Sequence, residues 1–151
     1  MNDVAIRRAG PADADAVADV YLASLAATYD FTGPHSPAEI RRWIAGDLLQ
    51  NEECWVAETA DGSVVAMMAL THDFLDQLYV APGHLGRGIG RRLVEVAKER
   101  RPHGLELYTF QVNARARRFY TRNGFVEVAF GDGSGNEERQ PDVRLAWRPA
   151  V

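Results

Sequence analysis

The chain predicts a single mixed α/β domain, and three observations carry that reading. Its 151 residues are 46% apolar and 25% charged, an ordinary globular composition at single-domain length. Hairpin chemistry sits in the middle, where Asp61-Gly62 separates two apolar runs. Later in the chain, strand-like and helix-like segments alternate, as crossover connections require. Hairpins followed by crossovers give a mixed sheet with helices on both faces. About seven strands and four helices are expected, in the order β-α-α-β-β-β-α-β-α-β-β, within one domain spanning residues 1–151.

The elements follow in order. Val4–Arg8 reads as a short strand. The Gly10-Pro11 turn opens a helix over roughly Ala12–Ala27, with Val17, Val20, Tyr21, Ser24 and Leu25 on one face. A breaker-rich loop holds Tyr29, Phe31 and His35. Ser36-Pro37-Ala38-Glu39 is a helix start, because Ser36 can cap, Pro37 suits the first helical position and Glu39 completes a capping box. Ile40, Trp43, Ile44 and Leu48 supply that helix's buried face. Trp55-Val56-Ala57 and Ser63–Leu70 form the hairpin strands, His72-Asp73 closes the next turn, and Asp76–Val80 is a further strand. Gly88–Arg101 reads as a helix stopped by Pro102, with Ile89, Leu93, Val96 and Ala97 as its apolar stripe. Leu105–Val112 is a strand, and Asn113 starts a helix that Asn123-Gly124 ends. Phe125–Phe130 is a strand. A final strand is marked by Val143, Leu145 and Trp147 alternating with Arg144, Ala146 and Arg148.

Composition excludes several functions. The net charge is −4 and the isoelectric point about 5.5, which argues against a nucleic-acid partner. Apolar runs such as Val64–Leu70 are too short to span a bilayer, and no leader of basic then apolar residues is read at the N-terminus. The lone Cys54 cannot form an internal disulfide, so a cytoplasmic location is expected; it reads as a small buried hydrophobe. His35, His72, His84 and His103 are scattered, and no metal-ligand spacing exists, so no metal is expected. Arginines cluster over Arg87–Arg101 and Arg115–Arg122, a pattern that suits a small anionic ligand.

The chemistry sits in Leu78-Tyr79-Val80-Ala81-Pro82-Gly83-His84-Leu85-Gly86-Arg87-Gly88-Ile89-Gly90-Arg91. This is a strand, a glycine-rich turn and a helix start. Such a turn aims unpaired N–H groups at one point, glycine lets an anion approach, and the helix dipole adds positive potential. Arg87, Arg91 and Arg92 add full charges. The pattern points to phosphate or pyrophosphate. A P-loop is excluded because no Gly-Lys-Ser/Thr occurs, and the G-x-G-x-x-G fingerprint fails at Arg91.

The segment resembles the R/Q-x-x-G-x-G/A signature of the GNAT-type N-acetyltransferases, with Gly88 and Gly90 at the glycine positions. Leu85 replaces the usual Arg or Gln, a position that in the family acts largely through its backbone N–H. Asn113 to Phe125 is similar to the family's N-x-x-A-x-x-F-Y-x-x-x-G-F pattern. The resemblance runs from Val4 to about Arg148. It implies a mostly antiparallel twisted sheet and acetyl transfer from acetyl-CoA to a primary amine by direct attack in a ternary complex. Coenzyme binding is implied for Leu78, Tyr79, Val80, Leu85, Gly86, Arg87, Gly88, Ile89, Gly90, Arg91, Asn113, Ala116 and Tyr120. The Val80 N–H is the expected oxyanion donor, and Tyr120 the group that protonates or hydrogen-bonds the leaving thiolate.

The base is open from sequence. Asp76 lies where relatives often carry a glutamate. Glu137 and Glu138 of the late loop are alternatives, and Tyr108 could order a water chain. Acceptor contacts are expected from Tyr29, Phe31 and His35, and from Asn136, Glu137, Glu138 and Asp142, whose acidity favours a cationic amine. A non-catalytic acyl-CoA sensor on the same scaffold is an alternative that Tyr120 disfavours. A longer acyl chain, decided near Phe74 and Leu78, is another. The protein is expected to be a monomer or homodimer.

Overall fold

The computed structural model describes residues 3–30 and 33–150; Phe31, expected near the acceptor, lies outside them. The elements are β1 (Val4–Arg8), α1 (Ala14–Thr28), α2 (Pro37–Trp43), β2 (Glu53–Thr59), β3 (Val64–Thr71), β4 (Phe74–Val80), α3 (Ile89–Arg100), β5 (Leu105–Phe110), α4 (Ala114–Arg122), β6 (Val126–Gly131) and β7 (Asp142–Trp147). One seven-stranded sheet runs β1-β2-β3-β4-β5-β7-β6. Every neighbouring pair is antiparallel except β4 and β5. The fold class is therefore the expected one, with the expected element order.

Sheet and helices enclose apolar side chains on two faces. On one, Ile89, Leu93, Val94 and Ala97 of α3, with Tyr120 of α4, pack on Met68, Leu70, Leu107 and Leu145. On the other, Val17 and Val20 of α1 join Ile44, Leu48, Val56 and Met67. Each fully buried aliphatic side chain contributes about 1.5–3 kcal/mol. Cys54 lies in the second cluster, 3% exposed, as a small hydrophobe should.

Local chemistry sets the element boundaries. The Ser36 hydroxyl accepts from Glu39 N–H at 3.1 Å and the Glu39 carboxylate accepts from Ser36 N–H at 2.9 Å, closing the capping box. The first helix starts two residues later than expected. Pro11–Asp13 forms a 3₁₀ turn, in which the Asp13 carboxylate accepts from Gly10 N–H at 2.8 Å and binds Arg7 through two bonds of 2.9 Å. Beyond α2 the chain widens into a π turn over Ile44–Leu48 and ends in a helical turn at Leu49–Asn51.

β4 begins at Phe74 rather than Asp76 and contains a bulge. Ala69 pairs with Gln77 and Leu70 with Leu75, so Asp76 has no cross-strand partner. The extra residue shifts the alternation of side chains. Leu75 therefore packs on the same face as Leu78 and Val80, while Tyr79 faces α1.

Candidate active site

The site starts from a seam in the sheet. β4 and β5 pair through a single register position, Phe74 opposite Glu106, fixed by Glu106 N–H donating to Asp73 O at 2.9 Å. Beyond it the strands have no further pairing. Ala81 N–H donates to Val65 O at 2.8 Å, and antiparallel bonding alternates. That alternation assigns Tyr79 to Met67 and turns the polar groups of Leu78 and Val80 towards β5. The Val80 carbonyl accepts from the buried Ser24 hydroxyl of α1 at 3.2 Å, which agrees with its lying outside the ladder. The Val80 N–H thus faces the opening.

The glycine turn stands at the end of β4. Gly86 and Gly88 have φ of +78° and +81°, a left-handed conformation that glycine adopts without strain. Gly88 is the N-cap of α3. The first helical bond runs from Arg92 N–H to Gly88 O at 3.1 Å, so the N–H groups of Ile89, Gly90 and Arg91 have no carbonyl below them. A Cβ on Gly88 would meet nothing within 4 Å, so the front of these donors is open. Gly90 has a different reason to be glycine: its Cβ would lie 3.1 Å from Phe119 Cζ of α4.

The arginine clusters are partly committed to the fold. Arg92 donates to Val4 O at 2.9 Å and turns away from the loop. Arg100 and Arg101 hold Glu53 at 2.6 and 3.1 Å, and Arg117 holds Glu127 at 2.7 Å. Arg87, Leu85 and Gly86 are exposed at the turn. Arg91 is exposed too, with only a loose 4.0 Å approach to Glu95.

α4 borders the opening from the other side. Asn113 Oδ1 accepts from Ala116 N–H at 3.0 Å as the N-cap, and its Nδ2 donates to the Tyr29 hydroxyl at 2.9 Å. Tyr120 is 8% exposed, with its ring edge-on to Phe119 and Phe125 at centroid separations of 5.1 and 5.5 Å. Burial, reinforced by the neighbouring Tyr29, pushes its hydroxyl pKa well above the ordinary tyrosine value.

On the α1 face stands a side chain that sequence reading placed only in the core, Tyr21. Its ring is edge-on to Tyr79 at 4.9 Å and Trp43 at 5.8 Å. Burial raises its hydroxyl to about 12, helped in turn by the charges of Glu138, Asp76 and Glu137. Glu137 accepts from His35 at 3.0 Å, which joins the late loop to the loop before α2. A hollow of about 460 Å³ lies between those loops, lined by residues that include His35, Asn136 and Glu137. Asp142 accepts from Asn136 Nδ2 at 3.2 Å and so braces the late loop. Tyr108 is 59% exposed and stacks on Phe74 at 6.0 Å. No group of three or more metal-ligating side chains stands together among the described residues.

Comparison with known proteins places the chain. The family model described as an acetyltransferase (GNAT) domain matches residues 50–127. The chain belongs to the GNAT acetyltransferase family. Among curated relatives, this acetyltransferase is 33% identical over 120 residues to the peptidyl-lysine N-acetyltransferase YjaB of Salmonella typhimurium, covering 80% of this chain and 81% of that one. It is 29% identical to the peptidyl-lysine N-acetyltransferase YiaC of Escherichia coli, covering 94% and 95%. Among solved structures, the apo form of Escherichia coli YjaB superposes with a TM-score of 0.80 at 26% identity, covering 98% and 99%. The PaiA N-acetyltransferase of Thermoplasma acidophilum, solved in complex with coenzyme A, shares the fold with a TM-score of 0.72 at 20% identity, covering 97% and 99%.

Two residues beside the candidate site escaped sequence reading. Tyr21 carries helical spacing that marks burial and nothing more. Glu52 lies at the end of the helical segment after α2, half-buried and raised by burial and then by Asp76. No spacing rule connects residues 52 and 76; only the strand register does.

Proposed function

We propose that this acetyltransferase moves the acetyl group of acetyl-CoA to a cationic primary amine, with the lysine side chain of a peptide or protein as the acceptor class. The observation that carries the reading is the seam, which joins the Val80 N–H to the donors of the glycine turn. The residues present fit the coenzyme: unpaired Ile89, Gly90 and Arg91 N–H groups, open space before Gly88, and Arg87 and Arg91 beside it. The pyrophosphate is assigned to that turn and the pantetheine arm to the edge bearing Asn113 and Ala116. Leu78 and Val80 offer main-chain polar groups along the seam, whereas Tyr79 turns its backbone to Met67 and its ring to Tyr21.

Acetyl-CoA supplies an activated thioester carbonyl. The Val80 N–H, fixed in a sheet, is a preorganised donor for the developing oxyanion. Asp76, freed by the bulge and exposed, accepts the acceptor's ammonium proton. Tyr120 donates a hydrogen bond to the departing sulfur. Because burial holds the proton on Tyr120, outright transfer is uphill for a thiol of pKa about 8.5, so its role is donation rather than ionisation. Glu137 and Glu138 give the acceptor side a negative rim suited to a cation, and the names of the peptidyl-lysine acetyltransferase relatives agree with that.

Calorimetric titration with acetyl-CoA and CoA, followed by thiol release over lysine peptides and small amines, tests the reading. Binding with release that depends on a lysine peptide is expected. Binding lost in Gly88→Glu supports the phosphate seat, and unchanged affinity in that variant overturns it.

A further inference from the structure

The Glu52–Asp76 contact has a role beyond packing. Glu52 stands where the segment after α2 passes into β2, its N–H donating to Leu48 O at 2.9 Å. Leu70 of β3 lies opposite Glu53 on one side and Leu75 on the other. Glu52 and Asp76 are each one residue from that rung, and the bulge at Asp76 frees its side chain from the alternation of β4. Asp76 acts on Glu52 through a side-chain hydrogen bond and through its charge. Two ionised carboxylates have no proton to share, so such a contact requires one of them to be protonated. Glu52 is half-buried and Asp76 exposed, which places the proton on Glu52. Glu52 Oε1 is closed off from solvent, and no donor among the described residues reaches it.

The surroundings favour that state. Asp47 adds a second negative charge near Glu52. The Cys54 thiol, itself pushed up to about 12 by burial and then by Glu52, offers no positive charge. Glu53 is engaged by Arg100 and Arg101. Arg8 acts on Cys54 from β1 and lies over the Trp55 ring at 5.6 Å. Tyr21 and Tyr79 face Asp76 as neutral hydroxyls.

We propose that Glu52 is a positioning residue of the acetyl-transfer site, sharing a proton with Asp76 and so setting the charge and aim of the carboxylate that meets the acceptor's ammonium. This rests on the acetyl-transfer reading above. With both carboxyls ionised, one proton leaves the acceptor nitrogen for Asp76 and settles on Glu52. An N–H bond breaks, an O–H bond forms, and nitrogen keeps the electron pair for attack. The pair passes from two negative charges to one, and release of the proton to solvent resets it. Burial first, then the hydrogen bond and charge of Asp76, raise Glu52 to about 8. A base matched to the operating pH is more effective than an ordinary carboxylate.

Carboxyl ¹³C NMR of the whole protein, labelled at glutamate and free of ligand, provides the test. The Glu52 resonance is expected to titrate near pH 8, to move down by a unit or more in Asp76→Asn, and to be absent in Glu52→Gln. For an Nα-acetylated lysine peptide, the wild-type kcat/KM is expected to rise with pH through about 8. Glu52→Gln should lose that limb and fall at least tenfold at pH 8.5, with acetyl-CoA affinity within twofold of wild type. Glu52 titrating near the ordinary value of about 4.3, or a Glu52→Gln profile that keeps the limb, overturns the proposal. Should the wild type not acetylate the peptide, the acceptor assignment falls and the NMR midpoint still decides the role of Glu52.

Discussion

Replacing Gly88 by alanine separates backbone strain from ligand exclusion. Gly88 sits at φ +81° and ψ 5° as the N-cap of α3. An L-residue in the left-handed region costs about 1–2 kcal/mol, and the stiffer unfolded chain returns at most about 1 kcal/mol. A net loss of about 1 kcal/mol corresponds to roughly 2–4 °C of Tm for a domain of this size. No steric term is added, because the new Cβ meets nothing within 4 Å. Coenzyme binding is another matter. The methyl group would intrude on the open space in front of the turn where a phosphate is assigned, and one charged hydrogen bond lost costs about 1.5–3 kcal/mol. Acetyl-CoA affinity should therefore fall about 10- to 100-fold. Gly83→Ala is the control, since Gly83 has no positive φ and an equally open Cβ position; it should change neither quantity. Differential scanning fluorimetry reads the first effect and isothermal titration the second. A Gly88→Ala protein that melts a few degrees lower yet binds acetyl-CoA normally would show that the turn is built for shape and that the pyrophosphate seat lies elsewhere.

Further substitutions probe the remaining assignments. Tyr120→Phe should lower kcat about 10- to 100-fold, the worth of one hydrogen bond to a charged sulfur, with acetyl-CoA affinity nearly unchanged; steady-state thiol release and calorimetry measure the two. Asn113→Ala removes an N-cap and the bond to Tyr29, together about 1–3 kcal/mol, which chemical denaturation at fixed pH measures. Burial opposes ionisation of Glu53, but hydrogen bonds from Arg100, Trp55 and Arg101 prevail and hold it at about 2. Its folded value lies below the unfolded one, so its stabilising contribution is present above about pH 4.3 and lost as pH falls through 2. The Tm deficit of Glu53→Gln should accordingly be largest near neutral pH and shrink towards pH 2.5.

Local chemistry was legible where local chemistry decides. The capping box at Ser36, the N-cap at Asn113 and the turn at Asp61-Gly62 each act over four residues or fewer, and each forms as read. The glycine turn was legible as a turn opening a helix, although Gly90 also reflects contact with Phe119, which no local rule contains. The bulge was not legible, because an unpaired Asp76 depends on how β3 and β4 register over their whole length. The same holds for Glu52, whose neighbour stands 24 positions along the chain and two strands away. Arginine clustering misled in part: Arg92, Arg100, Arg101 and Arg117 read as free charge, yet each is held by a carbonyl or carboxylate of the fold.

The seam between β4 and β5 also bears on how this protein resists heat. A continuous ladder would weld β1-β2-β3-β4 to β5-β7-β6; a single register pair leaves a crease, bridged near its open end by α1 through Ser24 and by the Asn113–Tyr29 bond. A molecule lodged in such a crease contributes cohesion that the chain itself does not provide. For a ligand confined to the folded state, that cohesion grows as RT ln(1 + [L]/Kd), about 2.7 kcal/mol at a hundredfold excess over Kd. Melting temperature then becomes a property of the solution as much as of the sequence, and in the proposed binding mode acetyl-CoA acts as a structural component of the enzyme.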